Sequence, residues 1–247
     1  MTGVAQGMGA AYARDLIGRG VAVVGVDRSP IADPDITGVV ADLSTVQGVD
    51  QVKEAVRDLD VGLLVNNAAV SFEGPFVDQG IDRALAQLDV NCRAPLALVH
   101  MLLPRLIERG RGGVIFMSSM SAWRGAPLVS AYAATKAWNL ILAESLWEEV
   151  REQGVDVMAV IPGSTRTPGL MSSMPQQSMG TANLMDAGDV VREALDTLGS
   201  APSMTPGQAN RESEAFMASL DRTEAIKLMG QVMRQMYPPQ RSPDPAL

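Results

Sequence analysis

Tyr132 and Lys136, four residues apart in the stretch YAATK, carry the strongest chemical signal in the chain. On a helix that spacing brings both side chains to one face. A phenol titrates near 10 and is a poor base at neutral pH. An ammonium a few ångströms away favours the phenolate, and a three-unit fall would take about 4 kcal/mol. Ser119 precedes the pair at the end of an apolar, β-branched run and could hydrogen-bond a substrate oxygen while Tyr132 takes or returns a proton there.

A second chemical signal opens the chain. TGVAQGMG (2–9) is followed by the helix-forming AAYARDLIGRG. Gly3, Gly7 and Gly9 permit a tight turn and close backbone approach, and the helix start after Gln6, including Met8, offers unpaired N–H groups and the positive dipole end to phosphate. Asp27 ends the run VAVVGVD at the spacing from the glycines where an acid meets adenosine ribose hydroxyls in dinucleotide folds. Its charge would repel a 2′-phosphate, which favours NAD over NADP. Arg28 acts the other way, because a guanidinium can clamp that phosphate, and the uncharged Gln6 returns the choice to NAD.

Five apolar, β-branched runs can position these groups: 21–27, 38–43, 61–68, 112–119 and 154–162. They alternate with segments of helical period, which is the pattern of a parallel sheet covered on both faces, a doubly wound α/β fold. The segment 80–109 reads as one long core-packed helix through Ile81, Leu85, Leu88, Leu96, Val99, Leu102, Leu103 and Leu106, and 130–152 as another, stopped by Gly154. Residues 163–185 are broken by Gly and Pro yet hold Met171, Met174, Met179 and Met185, so they read as a lid whose methionines touch an apolar substrate. Asp186 or Asp189 is placed to cap a helix running to Leu198, 211–236 reads as helical with Phe216, Leu220, Ile226, Met229 and Met233 on one stripe, and the tail 238–247 reads as disordered.

From Thr2 to about Thr167 the chain resembles the short-chain dehydrogenase/reductase family. The resemblance rests on TGVAQGMG, Asp27, Asp42-Leu43, NNAA (66–69), Asn91, Ser119, YAATK and PGSTRT (162–167), all in the family's order. It implies a Rossmann fold with sheet order 3-2-1-4-5-6-7. Asp42 and Leu43 would frame the adenine, Asn67 and Val90 line the cofactor, and Gly163, Thr165 and Thr167 hold the nicotinamide amide. Asn91 would anchor a water linking Lys136 to solvent, and helices 80–109 and 130–152 would form a dimer or tetramer interface. Ala69 departs from the family's glycine. The larger departure is the central strand, which should end just before Thr2 where this chain has only Met1; the expectation is a true start upstream, at a valine codon misread as an initiator.

The totals narrow the classes further. At 247 residues, 47% hydrophobic and 19% charged, the chain suits one domain over 1–237, and no apolar run reaches the length of a membrane helix. One cysteine and one histidine, Cys92 and His100, argue against a disulfide or a metal site and read as packing residues, Cys92 buried and inert. A net charge of −8 with interleaved signs argues against nucleic acid. The expectation is a cytoplasmic NAD-dependent oxidoreductase that moves a hydride between the nicotinamide and a secondary alcohol or ketone, with Tyr132 handling the proton. The alternatives are an epimerase or dehydratase on the same scaffold, or a non-catalytic dinucleotide-binding protein.

Overall fold

The structure, a computed structural model, describes residues 1–173 and 183–238. Strand β1 (Val23–Asp27) pairs in parallel with β2 (Ile36–Val40). On the other side β3 (Leu63–Asn66), β4 (Gly112–Met117) and β5 (Val155–Val160) run parallel to one another. Two further short pairs are β6 (Thr165–Arg166) with β7 (Met185–Asp186), and β8 (Ser203–Met204) on the edge of β5. Four residues of β5 are buried in succession, as a strand covered on both faces requires.

Met1–Gly3 join the two parts of the sheet. The Thr2 amide donates to the Val65 carbonyl at 3.0 Å, the Val26 amide to the Met1 carbonyl at 2.9 Å, and the Gly3 amide to the Val26 carbonyl at 2.7 Å. Thr2 forms a parallel bridge with Val26. Across the molecule the order is therefore β2, β1, Met1–Gly3, β3, β4, β5, β8, the order the family resemblance implies, with these three residues in the central position.

Helices cover both faces: α1 (Gly7–Gly18), α2 (Val46–Ala55), α3 (Ile81–Leu88), α4 (Ala94–Arg109), α5 (Ser130–Val150), α6 (Pro168–Ser173), α7 (Ala187–Thr197), α8 (Gln208–Ser219) and α9 (Arg222–Met236). Helix α1 buries Ala11, Tyr12, Ala13 and Leu16 against the sheet. No helix of the described residues is long and apolar enough to cross a membrane.

Several expectations need correction. The strand expected at 38–43 lies at 36–40, and the Ala41 amide then bonds the Asp27 carbonyl as the chain leaves the sheet. The segment 80–109 is α3, a π-helical turn at Asp89–Arg93, and α4. Pro95 has no N–H for the Asn91 carbonyl, so the regular ladder breaks there, and the Asn139 side-chain amide donates to that carbonyl at 2.9 Å instead. Only the latter half of the segment is core: Val99, Leu102 and Leu106 are buried, whereas Ile81, Leu85, Leu88 and Leu96 are exposed.

The stretch 211–236 divides at Leu220–Asp221, where the Asp221 carboxylate accepts from the Thr223 and Glu224 amides and starts α9. Met229 and Met233 are buried but Phe216 and Ile226 are exposed. Asp186 sits at the N-cap of α7, yet its carboxylate accepts from Arg166 and caps nothing. His100 is exposed and Cys92 only half-buried. Lid residues 174–182, Met174 and Met179 among them, and tail residues 239–247 lie outside the described residues.

Candidate active site

The glycine loop is stitched to the end of β3. The Thr2 hydroxyl accepts from the Asn67 and Ala68 amides at 3.1 and 3.0 Å, and the Asn67 side-chain amide donates to the carbonyls of Thr2 and Gly3 at 3.0 Å each. Gly3 and Gly7 have φ of +69° and +60°, a region that disfavours any side chain. Gly9 is demanded by space, since a Cβ there would lie 1.8 Å from the Gly3 carbonyl oxygen. The loop leads straight into α1, whose first residues face a cavity of about 1040 Å³.

Gly3, Gln6, Gly7 and Met8 line that cavity at one end; Gly9 lies behind them. Asp27 and Arg28 line it beside Asp42 and Leu43. The Asp27 carboxylate accepts from the Ala5 and Ser29 amides, 3.0 Å each, so it shapes the glycine loop as well as facing the cavity. Asp42 accepts from the Ser44 hydroxyl and amide, and these bonds, aided by the nearby Arg28 charge, hold its carboxyl below its ordinary value. Asn67, Val90, Gly163, Thr165 and Thr167 line it as well.

The lining at Gly163 and Thr167 is tightly built. A Cβ on Gly163 would meet the Asn210 side chain at 2.5 Å, and one on Gly7 would meet Thr167 at 3.2 Å. The Thr165 hydroxyl donates to the Gly163 carbonyl, and the Thr167 hydroxyl accepts from the Leu170 amide at the start of α6. The exposed helix start, the left-handed glycines and a carboxylate at the end of β1 together fit a dinucleotide whose pyrophosphate lies over α1.

Ser119, Tyr132 and Lys136 all line this cavity. Ser119 follows β4, and its hydroxyl oxygen accepts from the Ser121 hydroxyl at 3.1 Å and the Ser121 amide at 3.2 Å. Lys136 is 3% exposed; its ammonium donates to the Met117 carbonyl at 2.8 Å and lies 5.4 Å from the centre of the Tyr132 ring. Burial lowers Lys136 to about 8, with the Cys92 thiol acting slightly against this. The expected effect on the phenol is not what dominates. Burial pushes Tyr132 up to about 12, the Ser119 hydrogen bond pulls it back, and the Glu73 carboxylate raises it further.

Asn91 does not line the cavity. Its side chain accepts from the Val70 amide at 2.9 Å and donates to the Val70 carbonyl and the Thr135 hydroxyl, so it fixes the loop after β3 to α5. The expected role of the lid methionines also shifts. Neither Met171 nor Met185 lines the cavity; the methionines that supply its substrate wall are Met217, Met229, Met233 and Met236, from α8 and α9. Trp123 lines it and Trp138 does not.

Sequence reasoning missed Ser121, Asn210, Glu73 and Tyr237. Ser121 could have been suspected from SSMS, while the other three have no motif, because only chain packing brings them to the site.

Comparison with known proteins adds independent support. The family profile described as short chain dehydrogenase matches residues 1–178. The 7beta-hydroxysteroid dehydrogenase of Clostridium sardiniense is 28% identical over 246 residues, 95% of this chain and 94% of that protein. A solved structure reported for 7beta-hydroxysteroid dehydrogenase stereoselectivity superposes with a TM-score of 0.86 at 28% identity, covering 92% of this chain and 94% of the other. A short-chain dehydrogenase from Sphingobium yanoikuyae in complex with NADPH superposes with a TM-score of 0.75 at 25% identity, covering 90% and 95%.

Proposed function

The chain belongs to the short chain dehydrogenase family and is an oxidoreductase, and on that premise we propose that it interconverts a bulky secondary alcohol and its ketone with NAD as the preferred nicotinamide cofactor. The observation that carries this reading is that Ser119, Tyr132 and Lys136 line one cavity to which α8 and α9 contribute hydrocarbon. The cofactor, when bound, supplies the carbon that takes or gives the hydride. Gly3, Gly7 and the first turn of α1 would hold its phosphates, Asp27 its adenosine ribose, and Gly163, Thr165 and Thr167 its amide end.

The residues of the chain handle the proton. Ser121 donates to Ser119, so the Ser119 hydroxyl keeps its own hydrogen for the Tyr132 oxygen, or for a substrate oxygen bound beside it. Tyr132 takes the proton from the alcohol or returns it to the ketone oxygen. Lys136, held by the Met117 carbonyl, keeps a positive charge beside the ring at neutral pH, which favours the phenolate once it forms. Asn91 positions the loop at Val70 and, through Thr135, the helix that carries Tyr132 and Lys136.

The cofactor preference follows from charge: Asp27 at the end of β1 repels a 2′-phosphate. The competing choice is NADP, favoured by Arg28 beside it. The exposed stripe of Ile81, Leu85, Leu88 and Leu96 fits a homo-dimer or tetramer formed through α3 and α4, in a cytoplasmic enzyme. The test is to follow reduced nicotinamide by absorbance while the purified chain is offered fused-ring and long-chain secondary alcohols with NAD or NADP. Alcohol-dependent reduction, faster with NAD, is expected. Bound cofactor with no net redox change on any alcohol or ketone would overturn the reading in favour of an epimerase, dehydratase or binding protein.

A further inference from the structure

The segment after β3 places a carboxylate in the cavity that the proposed proton transfer does not use. Glu73 lines the cavity together with Tyr132 and Tyr237, and among the described residues it has no ion-pair partner. Arg83, the first basic residue after it in the chain, is turned onto the Phe72 ring, 4.1 Å from its centre. Its carboxylate oxygens are therefore available to accept a hydrogen bond from a molecule held in the cavity.

The backbone on either side of Glu73 is held firmly. The Gly74 amide donates to the Leu128 carbonyl at 2.8 Å, and the Gln79 side-chain amide donates to the Gly74 carbonyl at 2.9 Å. Leu128 holds its carbonyl there from a φ of +67°, the one positive φ outside glycine among the described residues. A leucine in that region is strained by roughly 1–2 kcal/mol, and such strain persists where surrounding structure imposes it. The loop is thus fixed while its acidic side chain has no ion-pair partner among the described residues. Glu73 lines the same cavity as Tyr132 and Tyr237, and its charge raises both phenols.

We propose that Glu73 is a specificity-determining residue: it accepts a hydrogen bond from a second hydroxyl carried on the hydrocarbon body of the substrate, and it repels substrates that carry an anionic group at that place. The substrate class is then a bulky alicyclic ketone or alcohol with a further hydroxyl and no carboxylate near the reacting carbon. Preorganisation of the loop matters here, because a fixed acceptor discriminates by position as well as by polarity. The inference rests on the hydride-transfer reading above.

The test compares kcat/KM for fused-ring ketones that differ only in bearing a second hydroxyl, at one of several ring positions, no substituent there, or a carboxylate. The wild type, Glu73→Gln and Glu73→Ala are each assayed with saturating cofactor. A hydrogen bond to a charged acceptor leads to an expected preference of about tenfold for one hydroxylated isomer over the unsubstituted ketone in the wild type. That preference should vanish in Glu73→Ala, and the carboxylate compound should gain about tenfold in Glu73→Gln. The unsubstituted ketone serves as the folding control, with Glu73→Gln as the isosteric variant should Glu73→Ala fail to fold.

Equal substrate ratios in all three proteins would overturn the assignment. A common factor on every substrate would do so too, because it would mean that Glu73 acts only through the charge state of Tyr132. Absence of turnover by the wild type on every ketone would overturn the hydride-transfer reading itself, an outcome distinct from unchanged ratios in a working enzyme.

Discussion

Replacing Lys136 with methionine should make the cofactor-free protein more stable at neutral pH while destroying its activity. Methionine preserves the length of the side chain and removes the buried charge. The fall of the ammonium from its ordinary 10.5 to about 8 corresponds to about 3 kcal/mol by which burial disfavours the charged form at neutral pH. Against this stands the bond to the Met117 carbonyl, whose loss costs about 1–2 kcal/mol. The net gain is about 1–2 kcal/mol, which raises Tm by roughly 2–8 °C in a domain of this size.

The pH dependence gives the sharper test. Because the folded-state value is depressed, the folded protein releases the lysine proton more readily than the unfolded chain does. Stability in the wild type therefore rises with pH between about 8 and 10.5, and the penalty is fully present below 8. The advantage of Lys136→Met should accordingly be largest near pH 7 and shrink as the pH passes through 9. Thermal denaturation of both proteins across that range measures it, with nicotinamide absorbance confirming loss of turnover. A variant less stable than wild type at pH 7, or an advantage that grows with pH, would refute the reasoning.

Gly9→Ala should disable cofactor binding: the methyl would sit 1.8 Å from the Gly3 carbonyl oxygen, and displacing that carbonyl breaks its bond to Asn67. Overpacking costs about 1–3 kcal/mol, and titration with NAD should show at least tenfold weaker binding, while unchanged affinity would count against the placement of the dinucleotide. Tyr132→Phe should lower kcat by about 100- to 10,000-fold with cofactor affinity intact, measured by stopped-flow and fluorescence titration. Asp27→Ala should weaken NAD more than NADP, and an equal loss for both would remove Asp27 from cofactor choice.

Alternation of apolar runs with helical segments was enough to read the doubly wound fold, because each strand covered on both faces must be apolar along its length. The site was legible where it depends on local spacing. Tyr132 and Lys136 share a face because a helix repeats every 3.6 residues, and Gly3 and Gly7 adopt left-handed backbone in a loop that belongs to one short stretch. Most residues read from such motifs do line one cavity; Gly9 and Asn91 lie behind it as supports.

What the sequence could not decide is whatever depends on distant segments meeting. The substrate wall comes from α8 and α9, since methionines are equally suited to a lid or a core and only packing selects Met217, Met229, Met233 and Met236 over Met171 and Met185. The break at Asn91 arises where Pro95 withholds a donor and Asn139, on another helix, supplies one. The phenol's proton affinity is likewise a tertiary property. Spacing placed a lysine beside it, but burial, Ser119 and Glu73 set the balance, because desolvation and charge depend on every neighbour in space and not on separation along the chain.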